Sequence, residues 1–320
     1  MSGAMEHVKK YLAVYCTLTM IVALILSKVY RTKIPYFGYI VTAIAFLMIF
    51  PMMVYLRIER IKEIARDPKA LLMNLFYAFV VTPLILVLIV KHVHEEFVIG
   101  LLINMLIPGP SLSITLTALS DGDIELASIA MAVNFILVPV LLPIELYLIS
   151  GIVGVHVPIY LVIRALVFIL ILPVIVGQSL RRYILKTRDH ETLARMKPKF
   201  SSLSVTGMFL MILLVFYQKG PIILKLRREF ILLIGRVLAY LAIMGVIVTV
   251  LDLLLLSYRE HAAISYIVLG KNNSLAVAIT SIYFKGLAVV APIAYGLVQS
   301  VVLPSYVRVN LYLKRFFKRI

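Results

Sequence analysis

The stretch YIVLGKNNSLAVAITSIYF, Tyr266 to Phe284, places a lysine and two asparagines inside an otherwise apolar run. The residues on either side are those of a membrane-spanning helix. A charge near the bilayer centre costs at least ~2.5 kcal/mol on insertion scales, so Lys271 needs a partner or a task. Glycine and asparagine favour non-helical backbone, and the run Gly270-Lys271-Asn272-Asn273-Ser274 carries consecutive polar side chains that require partners. At membrane depth such a break survives only where protein or a water-filled cavity satisfies the freed backbone groups.

Composition sets the context for that break. Of 320 residues 62% are hydrophobic, the mean hydropathy is +1.05, and the chain has one cysteine and no tryptophan. Soluble chains run about 45–50% apolar, and here the apolar residues come in runs of about 20, enough to cross ~30 Å of hydrocarbon as a helix. The expectation is an all-α polytopic membrane protein whose partner is the lipid bilayer. Cys16 excludes an internal disulfide and is read as a small buried hydrophobe in the first span. The net charge of +17 is assigned to loops facing anionic headgroups, with no nucleic-acid partner. Lys9 and Lys10 precede a run without a small-x-small cleavage site, so that run is taken as a retained first span. The opening MSGAM is set aside as an appended segment, with Met5 a candidate start.

Hydrophobic runs between loop signals give about ten spans. The first five are Tyr11–Ser27, Phe37–Leu56, Ala70–Val90, Phe97–Leu119 and Ile124–Ile149. The second five are Pro158–Leu180, Ser202–Tyr217, Phe230–Tyr258, Ala262–Phe284 and Leu287–Leu313. With Arg308 counted at the C-terminus, 20 of the 32 Lys and Arg residues fall on one side and 9 on the other. Arg164, Arg236 and Lys271 remain inside spans. The excess predicts a plasma-membrane protein with both termini cytoplasmic. PGPSLSITLTALSDGD, from Pro108, overlays LGKNNSLAVAITSIYF without gaps: Gly109 falls on Gly270, Ser113 on Ser274 and Pro143 on Pro304, all 161 residues apart. Residues 1–150 and 151–320 are thus expected to be two inverted five-helix repeats. In the fourth span Pro108-Gly109-Pro110 cannot continue a helix, and Ser111, Ser113, Thr115 and Thr117 follow like the start of a new half-helix. Paired interruptions in corresponding helices point to a transporter's binding site, where half-helix N-termini suit an anion.

These residues resemble the bile acid:sodium symporter superfamily, which includes the arsenite efflux permeases. The likeness runs through IFPMMVYLRIERIKEIARDPKALLMNLFYAFVVTPLIL (Ile49–Leu86), the fourth-span motif and GKNNSLAVAI. It implies a panel and a core domain, crossed broken helices 4 and 9, and alternating access. Sodium-coupled members carry an acid where this chain has Val268, Ser-Asn where it has Ser113-Ile114, and hydroxyls where it has Ala127 and Met131. A hard cation needs oxygen ligands, so the resemblance implies degraded sodium sites. Arsenite permeases carry a cysteine where this chain has Gly109, and Phe-Glu where it has Asn273-Ser274, whereas Asn134 in AVNFIL matches their fifth-span asparagine.

The expected site therefore comprises Pro108, Gly109, Pro110, Ser111, Ser113, Asn134, Gly270, Lys271, Asn272, Asn273 and Ser274. Lys271 is expected to hold the half-helices together, contact an anion or carry a proton, with Asp252 as its counter-charge and coupling partner. On an axial rise of 1.5 Å per residue Asp252 lies roughly 9 Å deep and Lys271 roughly 15 Å, within reach of a long side chain. A purely structural Lys271–Asp252 pair is the bland alternative. Glu145 and Arg164 are read as lying in the outer thirds of their spans, pairing or snorkelling. Arg236 is read as structural, HVHEE (His92–Glu96) as solvated, and Asp121, Asp123 and Glu125 as a capping loop. No metal site or resident cofactor is expected, with sodium left open. An enzyme is disfavoured: only Asp252 is a deep acid, and neither His-Glu-x-x-His nor Gly-x-Ser-x-Gly occurs. A passive channel is disfavoured by the paired breaks. Among carriers a small-organic-anion transporter ranks first, an arsenite or antimonite exporter second, and a cation/proton antiporter third, with sodium-coupled symport a further alternative.

Overall fold

The computed structural model describes residues 12–30, 32–56, 68–91, 93–109, 112–188, 190–284 and 286–317, and every regular element among them is helical. Most of the basic RIERIKEIARDPK segment, His92, Pro110 and Ser111 lie outside these residues. In chain order the helices are α1 (Leu12–Tyr30), α2 (Phe37–Tyr55), α3 (Pro68–Val90), α4 (Glu95–Met105), α5 (Leu112–Leu119) and α6 (Ile124–Val153). They continue as α7 (Ile159–Thr187), α8 (His190–Lys225), α9 (Arg227–Leu255), α10 (Tyr258–Leu269), α11 (Asn273–Tyr283) and α12 (Val290–Leu313).

Seven of the described helices are long and apolar enough to cross a membrane. Their outward faces carry large apolar side chains, among them Leu84, Leu88, Val140 and Leu254, which only lipid can cover. Glycine lets neighbouring helices touch. A Cβ at Gly177 of α7 would come within 2.9 Å of Met53 on α2, and one at Gly207 of α8 within 2.7 Å of Met48. Both α3 and α7 contain a π-helical turn, Tyr77–Val81 and Leu166–Ile171, just ahead of Pro83 and Pro173. The wider turn relieves the clash of each proline ring with the preceding carbonyls.

The helices pack as two groups. One comprises α1, α2, α7 and α8; the other comprises α3–α6 and α9–α12. They meet mainly where α11 packs on α2 and α7, and also where α6 packs on α7 and α12 on α1. At one end of the bundle Asp123 caps α6, accepting from Glu125 N and Leu126 N at 2.9 Å each. Its own N–H donates to Arg259 O, while Lys314 reaches Asp121 at 3.1 Å. The expected capping loop is present, tied to the α9–α10 turn and to the end of α12.

Two expectations change. The segment RRYILKTRDHETLARMKPK, read as a loop, is helical over most of its length, and α8 runs 36 residues rather than the 16 of the apolar run. Hydropathy marks only the part of a helix in lipid, whereas Leu, Arg, Lys, Ala and Met sustain a helix in water equally well. Glu145, read as pairing or snorkelling, is buried at 8% exposure, and neither carboxylate oxygen has a hydrogen-bond partner among the described residues.

Candidate functional site at the meeting of two helix breaks

Helix α4 ends at Met105 and α5 begins at Leu112; α10 ends at Leu269 and α11 begins at Asn273. The two non-helical segments bond to each other. Pro108 and Lys271 form an isolated antiparallel bridge, and Asn272 N–H donates to Ile107 O at 2.9 Å. Gly109 N–H is shared between Ile267 O at 3.1 Å and Gly270 O at 3.2 Å. Gly109 sits at φ +81, where a side chain is strained, and a Cβ there would also meet Met131 Cγ at 3.4 Å. Each break thus supplies donors and acceptors that the other needs. Beyond the bridge, Ser113 Oγ donates to Tyr266 O, and Ser120 Oγ bonds to Tyr266 Oη at 2.7 Å. These bonds tie α5 to α10.

Lys271 is fully buried. Its backbone N–H donates to Gln299 Oε1 of α12 at 2.7 Å, while its ammonium has no hydrogen-bond partner among the described residues and lies 5.5 Å from the Tyr240 ring centroid. Asn272 caps α11, accepting from Leu275 N at 3.1 Å, and Tyr295 Oη holds Leu269 O at 2.9 Å.

A cavity of about 200 Å³ opens between the two helix groups. Its polar wall comes from Lys271, Asn272, Asn273 and Ser274 at the start of α11, with Gln299 and Ser300 of α12. Facing them are Met48 of α2, Ser204, Met208 and Met211 of α8, and Cys16 of α1. One cation and several amides and hydroxyls thus confront a largely apolar, thioether-rich surface. Such a wall suits a ligand with an anionic head and an apolar body.

Of the expected residues, Pro108, Gly109, Gly270, Lys271 and Asn272 meet at the bridge, and Lys271 to Ser274 line the cavity. Pro110 and Ser111 lie outside the described residues. Ser113 is occupied by Tyr266 O, and Asn134 pairs with Asn74 at 2.8 and 3.3 Å, so neither lines this cavity.

The proposed Lys271–Asp252 contact is corrected. Asp252 Oδ1 accepts from Tyr77 Oη at 2.6 Å, and Oδ2 lies 2.8 Å from His261 Nδ1. His261 Nε2 lies 3.2 Å from Asn310 Oδ1, closing a buried network of α3, α9, α10 and α12. Matching depth did not bring Asp252 to the lysine, because its direction around α9 turns it towards α3 and the start of α10. Gln299, Tyr240 and Cys16 were missed as site residues. Gln299, which with Ser300 interrupts the mostly apolar run YGLVQSVVLP (Tyr295–Pro304), carried the one signal that pointed to it.

Comparison with known proteins identifies a family. The description "Sodium Bile acid symporter family" matches residues 42–226, more than half of the chain, from α2 through α8. This chain belongs to the sodium bile acid symporter family. It is therefore a multi-pass membrane protein of a transporter family. Arsenical-resistance protein Acr3 of Alkaliphilus metalliredigens (strain QYMF) is 21% identical over 199 residues, 58% of this chain and 56% of that protein. The chain thus spans about half the length of that curated relative. In this member of the symporter family the bridge residue Lys271 lies beyond the stretch that matches the family.

Proposed function

We propose that this family member is a secondary active transporter that carries a small organic anion across the plasma membrane by alternating access. The observation that carries the reading is Lys271: a fully buried cation without a hydrogen-bond partner, on the wall of a cavity between the two helix groups. An anion entering that cavity supplies the partner the ammonium lacks, next to the N-terminus of α11. In this reading α1, α2, α7 and α8 form a panel and the remaining helices a core. Movement between them exposes the cavity to each side in turn. The chain crosses ten times as inverted repeats, residues 1–150 and 151–320, with α4–α5 and α10–α11 as the broken crossing helices and both termini cytoplasmic.

Sodium coupling is disfavoured in this reading. Val268 is fully buried and apolar, the hydroxyl of Ser113 is already used, and Met131 packs near Gly109. No carboxylate marks a cation site there. Arsenite or antimonite export is the second reading, supported by the likeness to Acr3 and by the chain's one thiol, Cys16, on the cavity wall. Gly109 offers no thiol, and Asn134 is engaged with Asn74.

The deciding experiment is a ligand-induced melting shift on purified protein, screening carboxylates, sulfonated bile acids, arsenite and antimonite, with and without Na⁺. Ligands that bind only the folded state raise its stability by RT ln(1 + [L]/Kd). An organic anion that stabilises without Na⁺, and fails to do so in Lys271→Ala, is the expected result. Stabilisation by Na⁺ alone would overturn the reading. A shift seen only with arsenite or antimonite, and lost in Cys16→Ser, would establish the second reading.

A further inference from the structure

Of the 9 Lys and Arg residues that the ten-span reading puts on the less basic side, seven lie in two short segments, residues 27–39 and 217–228. They are Lys28, Arg31, Lys33, Lys219, Lys225, Arg227 and Arg228, and neither segment contains an acid. Arg31 lies outside the described residues. The fold brings the two segments together where α1 and α8 meet. Ile34 N–H donates to Gln218 Oε1 at 2.9 Å, and the hydroxyls of Thr32 and Tyr217 bond to each other. Gly220 lets α8 close on α1, because a Cβ there would collide with Ser27 Oγ. Basic residues are sparse on that side of membrane proteins, so their concentration at one contact calls for a counter-charge.

Between the segments lies a cavity of about 240 Å³, which shares no residue with the cavity at Lys271. Lys33 supplies its charge, Ser27, Thr32, Tyr217 and Gln218 its polar wall, and Ile222 an apolar edge; no acid lines it. The polar groups are set to donate. Thr32 and Tyr217 hold two hydroxyl protons and use one on their mutual bond, and Gln218, whose oxygen accepts from Ile34, presents its NH₂. Lys225 adds a second cation at the rim. It follows Pro221 and Ile222 by four and three residues on α8, the spacing of neighbours on one helix face. Exposed side chains set the depth of the cavity in the membrane. Tyr30, Tyr36 and Tyr39 form an aromatic belt, while Val29, Ile222 and Leu224 present apolar surface beside it.

We infer that this cavity binds the phosphodiester of an anionic phospholipid, with Lys33, Gln218 and the Thr32–Tyr217 pair holding the phosphate and Lys225 at the rim. Cations and neutral donors without an acid are the chemistry that recognises a phosphate oxyanion. A soluble phosphate would satisfy the same donors, but only a lipid also covers Val29 and Ile222 with its chains. A zwitterionic headgroup carries its own cation, which Lys33 and Lys225 repel, so the site selects phosphatidylglycerol over phosphatidylcholine. The bound lipid ties the α1–α2 turn to α8. The inference stands apart from the anion reading of the Lys271 cavity.

Native mass spectrometry of delipidated protein in neutral detergent tests this, with phosphatidylglycerol, phosphatidylcholine, glycerol 3-phosphate and inorganic phosphate each titrated in turn. The expected result is one phosphatidylglycerol per chain, bound in preference to phosphatidylcholine and not displaced by either soluble phosphate. Lys33→Gln should weaken it about tenfold, the loss expected for one charge-assisted hydrogen bond. Lys91→Gln removes the same charge from an exposed position on the same side, outside both segments, and should leave binding unchanged. Thr32→Val keeps every charge and should still weaken binding, which diffuse electrostatic attraction would not produce. Equal binding of the two lipids, or equal losses in Lys33→Gln and Lys91→Gln, would overturn the site. Glycerol 3-phosphate bound as tightly as the lipid would overturn the lipid assignment in favour of a soluble phosphate. Lys33, Thr32 and Lys91 are all exposed, so the variants test binding rather than folding. Melting gives an independent readout: phosphatidylglycerol should raise the Tm of the wild type more than that of Lys33→Gln, and an equal rise would count against the site.

Discussion

Replacing Asp252 by alanine tests the buried network that took this acid away from Lys271. The carboxylate is fully buried and receives Tyr77 Oη at 2.6 Å and the His261 ring at 2.8 Å. Its loss strands a hydroxyl and an imidazole nitrogen in a site without water access. An unsatisfied buried group costs about 1–3 kcal/mol. Because the two partners share one carboxyl group their losses overlap, and the expected loss for Asp252→Ala is at or above about 1–3 kcal/mol. Removing the stranded partner should recover part of it. His261→Phe fills the ring's place beside Phe317, which stacks on His261 with centroids 4.9 Å apart. The double variant Asp252→Ala/His261→Phe should therefore be more stable than the sum of the single losses by about 0.5–3 kcal/mol, the range seen for groups in one network. Reversible unfolding in mixed detergent micelles measures all three. Additivity of the two losses would show that Asp252 and His261 are not coupled, and the correction to the Lys271 partnership would lose its basis.

Three further outcomes are expected. Gly100→Ala places a Cβ 1.7 Å from the backbone oxygen of Ala288, so α4 must move by more than an ångström; a loss at or above about 1–3 kcal/mol is expected in the same unfolding assay. Gln299→Leu strands the Lys271 N–H at the break, at a cost of about 1–3 kcal/mol, and hydrogen exchange should rise selectively in residues 266–284. Gln299→Glu, which keeps the acceptor, should not show that rise. Asp123→Ala removes the cap of α6, with an expected loss of about 1 kcal/mol, whereas Asp123→Asn should retain most of the stability.

The two breaks were legible because proline, glycine and asparagine constrain the backbone locally, wherever the rest of the chain lies. Pro108-Gly109 and Gly270-Lys271-Asn272 violate helix chemistry by their own composition, and an offset of 161 residues between them already suggested that they belong together. The Asp123 cap was legible for the same reason: its bonds reach only two and three residues along the chain. The fate of long side chains was not legible. Lys271 and Asp252 were matched by depth, which follows from residue counting, but partnership also depends on direction around each helix axis. In an apolar all-α chain that direction is poorly marked, because lipid-facing and core-facing positions both carry leucine, isoleucine and valine. Glu145 was misjudged likewise: a carboxylate eight residues from the end of α6 counts as shallow along the axis, yet its helix face is turned inward.

The unpartnered groups also show how this site differs from a structural network. Asp252, Tyr77, His261 and Asn310 each have a partner at about 2.6–3.2 Å, which holds them in one arrangement. Lys271 and Asn104 are buried as deeply and Glu145 nearly so, yet their charged or amide atoms have no hydrogen-bond partner among the described residues. Satisfying them within the fold would have needed only another asparagine or serine nearby, as Asn74 does for Asn134. A buried group left unsatisfied costs free energy in the empty protein, and a ligand or proton that satisfies it gains that difference on binding. For Lys271 the unmet requirement lies on the cavity wall, where two non-helical segments are bonded to each other. In the proposed carrier, a ligand held by Lys271 bears on both segments at once, because Lys271 and Pro108 form the bridge between them.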